Sequence, residues 1–374
     1  MKILMTGAHF TPAVAVAEEL RKYSNTKIIY VGRNKTLEGD NSKSVESQIL
    51  PKFGIKFIPI ITGRLQRSFT IYTLPSLFKL PIGLIQAFYI VLREKPDLIL
   101  SFGGYVAVPV VFIGWLFSIP ILIHEQTLVS GLANKISSYF ASKIALSFNQ
   151  GQKFSEKVIV TGNPIRRGVL NPITEMASEF QQLFKNARKQ KLPVVLITGG
   201  NQGSHLLNIS IEKIIDKLTK YSYVIHITGE SKFQDFERLE KLQNDHFIVR
   251  KWIGEEWGAI LSKIDLVVSR AGINTLTEIA YMGKPALVIP IPYLYQDEQV
   301  VNANFFEKLG MVQILPQSRL SGEVLLKHIK LMFSDLDNLT KKAKGLKSVV
   351  LTNGAKRLAL EAVILSNKDN EKKV

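Results

Sequence analysis

Four stretches of this 374-residue chain combine residue types that could do chemistry. Residues 265–290, DLVVSRAGINTLTEIAYMGKPALVIP, set Ile273, Asn274, Thr275, Leu276, Thr277 and Glu278 just past an Ala271-Gly272 turn. A helix starting there would offer unpaired N–H groups and a positive dipole end to phosphate, and Glu278, one turn on, could accept hydrogen bonds from sugar hydroxyls. The segment reads equally as a capped helix whose Glu278 faces water, because strand, turn and helix recur throughout α/β proteins. His9 follows Thr6-Gly7-Ala8; its imidazole titrates near neutrality and could take a proton from an attacking hydroxyl, or it could help to cap the helix that follows. His124-Glu125-Gln126 ends an apolar run and precedes Ser130-Gly131-Leu132-Ala133-Asn134, polar side chains where α/β sites form, or a structural hydrogen-bonded pair. Gly199-Gly200-Asn201-Gln202-Gly203-Ser204 is a small-residue turn whose backbone N–H groups could approach a diphosphate. It matches neither the dinucleotide fingerprint nor the P-loop, and close helix–strand packing explains such turns as well.

The elements that must position these residues alternate. Apolar runs predict strands at 2–5, 27–31, 56–59, 97–101, 121–123 and 143–147, with helices at 12–22, 81–93 and 110–117. After a Gly162-Asn163-Pro164 turn and a polar run at 174–191 with little apolar periodicity, strands restart at 193–198, 223–228, 246–250, 266–269, 286–289 and 312–314. A helix is expected at 274–282, a long helical pattern at 337–365, and a charged tail at 367–374. The expected fold is α/β with two Rossmann-like, doubly wound domains facing a cleft. The expected division is 1–165, 166–340, and a final 341–374 segment whose helix packs back on the first domain.

Composition narrows the partners. Hydrophobic residues make up 46% of the chain, enough for two cores. Lysine and arginine exceed aspartate and glutamate by 48 to 31, a net charge of +17 that implies an anionic partner. No compact basic–aromatic motif is present, so nucleic acid is not expected. The absence of cysteine fits a reducing compartment. The amino terminus, MKILMTGAHF, lacks the plan of a secretory signal, and the expectation is a cytoplasmic protein. Residues 105–123 have spanning length and no charge, but Pro109 and Pro120 punctuate them into helix, turn and strand.

Read together, Phe102-Gly103-Gly104-Tyr105, His124-Glu125-Gln126, Gly162-Asn163-Pro164-Ile165-Arg166, the 199–203 turn, Ser269-Arg270-Ala271-Gly272 with Thr275 and Glu278, and Gln299, Asn302 and Ala303 stand in order along most of the chain. In this they resemble the MurG family, peptidoglycan enzymes that add N-acetylglucosamine to the undecaprenyl-linked muramyl-pentapeptide. The resemblance implies a GT-B fold and an inverting transfer from UDP-N-acetylglucosamine to the acceptor's 4-hydroxyl, with no bound metal or other cofactor. It further implies that His9 is the base and Glu278 holds the ribose. Residues 273–277 would meet the diphosphate and nucleoside, Ile253 the uracil, and Arg166, Asn201 and Gln299 the donor. Thr6, Gly7 and Ala8 would line the acceptor diphosphate or the donor side of the cleft, Thr127 would bind donor or substrate, and Tyr105, His124, Glu125, Gln126 and Asn134 would lie on the acceptor side.

The chain departs from that pattern in places. The family's Gly-Gly-Thr-Gly-Gly-His loop is here Leu4-Met5-Thr6-Gly7-Ala8-His9, keeping one of four glycines; Thr127 replaces an asparagine, and Asn201 a serine. One extra residue between Ile253 and Arg270, and another between Pro290 and Gln299, loosens the match at Ile253. In residues 64–93, Phe69, Ile71, Tyr72, Leu74, Leu77, Phe78 and Leu80 are interleaved with Arg64, Arg67 and Lys79, a mixture suited to an anionic membrane surface; residues 84–91 read as core. The implied place is peripheral, on the cytoplasmic face of the membrane. A GT-B enzyme with another lipid acceptor, or a sugar-nucleotide epimerase, is the alternative within the same architecture.

Overall fold

The computed structural model describes residues 1–34, 44–63, 73–149, 155–200, 203–230, 233–345 and 351–371, with side chains described over the same span except at 45, 73–78, 295 and 368–371. The chain divides into two compact units, Met1–Arg166 with Leu351–Val374, and Arg167–Val350.

In the first unit, strands β1 (Lys2–Thr6), β2 (Lys27–Gly32), β3 (Lys56–Pro59), β4 (Leu98–Ser101), β5 (Ile121–Glu125), β6 (Lys143–Leu146) and β7 (Val158–Val160) form one sheet in the order β3-β2-β1-β4-β5-β6-β7. Every pairing is parallel. Such a sheet is covered on both faces, which is why its strands read as continuous apolar runs. Ile3 and Met5 enter a core with helix Phe10–Leu20 and Leu358, whereas Leu4 between them enters another with Ala87, Val91 and Val110. Strand order reverses direction beside β1, so the crevice between the carboxyl ends of β1 and β4 is the switch point at which ligands of such folds sit.

The second unit repeats the plan with β8 (Val194–Thr198), β9 (Tyr223–Ile227), β10 (Phe247–Arg250), β11 (Leu266–Ser269), β12 (Ala286–Val288) and β13 (Val312–Ile314), ordered β10-β9-β8-β11-β12-β13 and again parallel. Its switch point lies between β8 and β11. One core joins Val195, Ile197, Leu266 and Val268 to Leu207, Ile211 and Ile329 from the covering helices.

Several elements differ from expectation. The 337–365 pattern is two helices, Leu336–Gly345 in the second unit and Gly354–Glu371 in the first. The latter sets Ala355, Leu358, Ala359 and Ala362 against the first core, so the chain changes units at 350 rather than 340. The 174–191 run has the periodicity denied to it: helix Ser178–Gln190 buries Phe180, Leu183 and Ala187, one stripe of a polar helix. It lies wholly in the second unit. Strand β7 was not expected; its three half-buried residues are too short a run to stand out. The first helix starts at Phe10 rather than Pro12, which makes His9 its N-cap residue. Helix Thr73–Glu94 is longer than the expected 81–93, carrying Pro81 inside it. Among the described residues no helix is long and apolar enough to cross a membrane.

Candidate functional site

In the first unit the loops leaving β1, β2, β4 and β5 converge. Gly7 has a φ of +144°, and a Cβ there would lie 2.9 Å from the Gly103 carbonyl oxygen. The turns after β1 and β4 therefore touch backbone to backbone, and Ala8 N–H donates to that same oxygen at 2.9 Å. The buried Tyr30 hydroxyl donates to the Gly7 carbonyl at 2.8 Å, fixing the turn from β2. Thr6 is buried beneath it. His9 sits at the N-cap but its side chain makes no capping bond, so capping does not explain it. Burial, with the Arg33 charge as the lesser cause, pushes its imidazole down to about 4. At neutral pH it is uncharged and keeps one acceptor nitrogen.

Arg33 itself lies one residue past β2. Its Nε donates to Glu46 Oε1 at 3.0 Å, with the Glu46 carboxylate almost wholly buried, and its guanidinium also hydrogen-bonds the Tyr105 side chain. Burial opposes the charge on Arg33, but Glu46 and Tyr105 outweigh it and hold the guanidinium ionised.

His124 and Glu125 do not form the structural pair that sequence allowed. Adjacent strand residues point to opposite faces, and here each finds its own partners. His124 Nε2 lies 3.0 Å from Ser147 Oγ, and the ring meets Phe102 edge-on. Glu125 accepts from Thr127 Oγ1 at 2.8 Å and Thr127 N at 3.2 Å through Oε1, and from Asn134 Nδ2 at 2.8 Å through Oε2. Burial, then the charge of His9, lowers His124 to about 3. Burial raises the Glu125 pKa against the pull of its hydrogen bonds. Gln126 is buried in the same turn. Several of these residues are thus brought together: Glu125 ties Thr127 to Asn134, and Arg33 hydrogen-bonds Tyr105 while its charge is felt at His9.

In the second unit, Asn201 and Gln202 lie outside the described residues. Gly203, with φ +71°, would carry a Cβ only 2.0 Å from the Thr228 carbonyl oxygen, so close loop packing accounts for that glycine. Arg270 is buried and donates from Nε to Ser204 Oγ at 2.9 Å and from Nη1 to the Ile289 carbonyl at 3.0 Å. It clamps the ends of β8, β11 and β12 together, and burial lowers its pKa. Helix Ile273–Met282 begins after Gly272, a cap residue with no side chain to offer its first N–H groups. Asn274 and Thr275 are half-buried on that first turn, Leu276 is buried, and Thr277 Oγ1 donates to the Ile273 carbonyl at 2.7 Å. Glu278 does not face water. It is 4% exposed, and its Oε2 accepts from Trp257 Nε1 at 2.7 Å. Asn302 Nδ2 donates to the Ala271 carbonyl at 3.2 Å, and Gln299 Oε1 accepts from Ile291 N–H at 3.1 Å. Ile253 is buried just past β10, and Arg166, half-buried, is the last residue of the first unit's long segment.

Sequence reading passed over Arg33 and Trp257. The signal for Arg33 was available, since it stands two residues past an expected strand, at the carboxyl edge that drew attention to His9. No local pattern marks Trp257. Among the described residues no group of three or more His, Cys, Asp or Glu is arranged to hold a metal ion.

Two doubly wound parallel sheets, each with polar side chains gathered at its switch point, define a class that known proteins share. Residues 6–146 match the N-terminal domain of glycosyltransferase family 28 and residues 194–358 its C-terminal domain. Two curated relatives carry the name UDP-N-acetylglucosamine–N-acetylmuramyl-(pentapeptide) pyrophosphoryl-undecaprenol N-acetylglucosamine transferase. The one from Clostridium botulinum (strain Langeland) is 33% identical over 91% of this chain and 94% of its own length. The one from Clostridium perfringens (strain ATCC 13124) is 34% identical over 96% of both. The crystal structure of Acinetobacter baumannii MurG superposes with a TM-score of 0.69 at 25% identity, covering 96% of this chain and 99% of that one. A UDP-GlcNAc 2-epimerase from Neisseria meningitidis, with a TM-score of 0.60 at 16% identity, covers 97% of this chain and all of that one, a likeness of fold alone. The chain belongs to glycosyltransferase family 28 and, within it, to the MurG family.

Proposed function

We propose that this chain transfers N-acetylglucosamine from UDP-N-acetylglucosamine to the 4-hydroxyl of undecaprenyl-diphosphoryl-N-acetylmuramyl-pentapeptide, with inversion and without a bound metal. The observation that carries this reading is the end of β11, where an uncapped ten-residue helix presents its N-terminus and a buried Glu278 is fixed one turn inside by Trp257. Helix N–H groups favour the diphosphate and gain strength as charge develops on the leaving UDP. In this role residues 273–277 meet the diphosphate and nucleoside, Glu278 accepts from the ribose hydroxyls, and Ile253 packs on uracil. Arg166, Asn201 and Gln299 complete the donor contacts. The acceptor's 4-oxygen forms a bond to the sugar's anomeric carbon as the bond from that carbon to the UDP oxygen breaks. The proton passes to a ring nitrogen of His9, which is neutral and ready to receive it.

The test is transfer of labelled N-acetylglucosamine to the undecaprenyl-linked muramyl-pentapeptide in EDTA, with UDP-glucose and UDP-N-acetylgalactosamine competing. The expected outcome is transfer selective for the first donor and indifferent to EDTA. No transfer, with UDP still bound, would leave the family's donor site and reject this acceptor.

The same reading places the protein on the cytoplasmic face of an anionic membrane. The support is a stripe of exposed apolar side chains on helix Thr73–Glu94, Ile82, Ile85, Tyr89 and Leu92, at helical spacing, beside exposed Trp115, Leu116 and Phe117. Phe88 and Phe117 pack 5.5 Å apart between the two. This differs from the expectation for 84–91, of which only part is core: Ala87 and Val91 are buried, but Ile85, Phe88 and Tyr89 are open to solvent. The segment expected to touch lipid lies outside the described side chains from Arg64 to Phe78. Replacing Ile85 and Tyr89 by serine is expected to release the protein from anionic liposomes in sedimentation; retained binding rejects this face.

A further inference from the structure

We infer that Arg33 is an acceptor-binding residue, holding the diphosphate of the lipid-linked acceptor beside the Gly7-Ala8-His9 turn and thereby setting the acceptor's hydroxyl against His9. The inference rests on the proposed reaction and adds to it a residue that neither the motifs nor the family resemblance singles out.

Placement comes first. Thr6 pairs with Val31 in the β1–β2 register, so Arg33, two positions on, stands beside the turn that follows Thr6, on the edge of the sheet where ligands bind. Two segments contact it and a third feels its charge. Glu46 reaches it from helix Val45–Ile49, Tyr105 from the loop after β4, and its charge is felt at His9 after β1.

Stability alone is a weak reason for such a residue. A partly buried ion pair gains little over apolar packing once both ions have been desolvated. A guanidinium kept at a crevice by one carboxylate and one phenol has a clearer use, since its planar fork matches a phosphate and can be shared between two anions. The turn beside it also needs the charge. With Gly7 as its only glycine, and that glycine packed against Gly103, the β1 turn cannot fold around a diphosphate as a glycine-rich loop does. A side-chain cation from β2 supplies the attraction that backbone N–H groups supply elsewhere.

The arrangement couples binding to chemistry. Without acceptor, the Arg33 charge adds to burial in keeping His9 a weak base. Among the described residues, Glu46, Tyr30, Tyr105 and His124 are the other titratable groups around this crevice, and none brings the double negative charge that a diphosphate would. An anion at Arg33 offsets its field and makes the imidazole more basic only when the acceptor is in place.

The experiment uses the full chain with saturating UDP to fill the donor site, and titrates inorganic pyrophosphate by calorimetry. Wild type is expected to bind, Arg33→Gln at least about tenfold more weakly, and Arg33→Lys in between, because lysine keeps the charge without the fork. Arg33→Gln leaves Glu46 buried without its cation, so the double variant Arg33→Gln with Glu46→Gln, which removes both charges, separates the two roles. If Arg33 only neutralises Glu46, the double variant regains wild-type affinity, and the proposal fails. If Arg33 holds the ligand, the double variant stays weak. In the transfer assay the acceptor KM is expected to rise about tenfold in Arg33→Gln with the donor KM unchanged. Wild-type pyrophosphate affinity in a folded Arg33→Gln variant, or no binding to wild type, overturns the inference. Arg33-dependent pyrophosphate binding in a protein that transfers nothing to this acceptor would instead reject the reaction and leave the anion site standing.

Discussion

The two switch points are built on the same sheet plan and filled with opposite chemistry. At β1/β4 the polar groups include imidazoles held neutral by burial, His9 at about 4 and His124 at about 3, with the ionised Arg33 guanidinium beside them. At β8/β11 the arginine is a clamp: Arg270 is spent on Ser204 and the Ile289 carbonyl, and what stands past β11 is a helix N-terminus followed by a fixed carboxylate. The first end is suited to accepting a proton, the second to holding a leaving diphosphate and a diol. The fold alone dictates neither. The difference lies in which side chain follows each strand.

Mutation should pull these roles apart. The largest effect is expected for His9→Ala, a fall in kcat of about 10²–10⁴-fold, the usual worth of a positioned general base. UDP affinity, read by calorimetry, should not change. A variant with wild-type kcat would leave His9 without a catalytic role and dissolve the contrast. Glu278→Ala should do the reverse, weakening UDP binding by about ten- to a hundredfold, because a charge-assisted contact is lost together with the bond from the Trp257 indole N–H. Trp257→Phe keeps the carboxylate and loses only its orientation, so a smaller loss, about threefold to tenfold in UDP affinity, is expected. Equal losses for the two variants would mean that Glu278 serves packing rather than ribose.

Much of this was legible in the sequence, for reasons that also set its limits. Parallel strands buried on both faces leave unmistakable apolar runs, and twelve of the observed strands coincide with such runs; β7, three half-buried residues at the sheet edge, does not. Residues shortly after a strand are positioned by the strand itself, which is how His9, His124 and the start of the 273–282 helix could be found. Partners that arrive from elsewhere leave no local trace. Trp257 meets Glu278 from a helix 21 residues earlier in the chain, and Glu46 meets Arg33 across 13 residues. The supposed His124–Glu125 pair failed because adjacency in sequence is opposition in a strand. The 337–365 pattern was misjudged because helical periodicity on either side of 346–350 carries no mark of a change of unit.

Acid stability offers the smallest and most diagnostic effect. His9, His124 and His226 are lowered from 6.5 to about 4, 3 and 3, in each case chiefly by burial. Between those values and 6.5 the unfolded chain binds protons that the folded chain refuses, so stability must rise with pH across that window and level off above it. Glu125 works the other way. Its folded pKa is raised above 4.5 by burial, so the folded state holds a proton that the unfolded state has released, and stability falls as pH rises through that part of the range. That opposition is confined to the first unit. In the second, His226 stands alone among the buried imidazoles, with Nε2 2.9 Å from Asn208 Oδ1. His226→Gln, which can still donate to Asn208, should therefore make the loss of Tm between pH 7 and pH 5 shallower by about a third, one histidine of three, while leaving Tm above pH 7 nearly unchanged. Melting curves at half-unit pH steps would read this directly. An unchanged slope would mean that His226 takes up its proton without unfolding, and that the second unit's core is less closed to water than its packing implies.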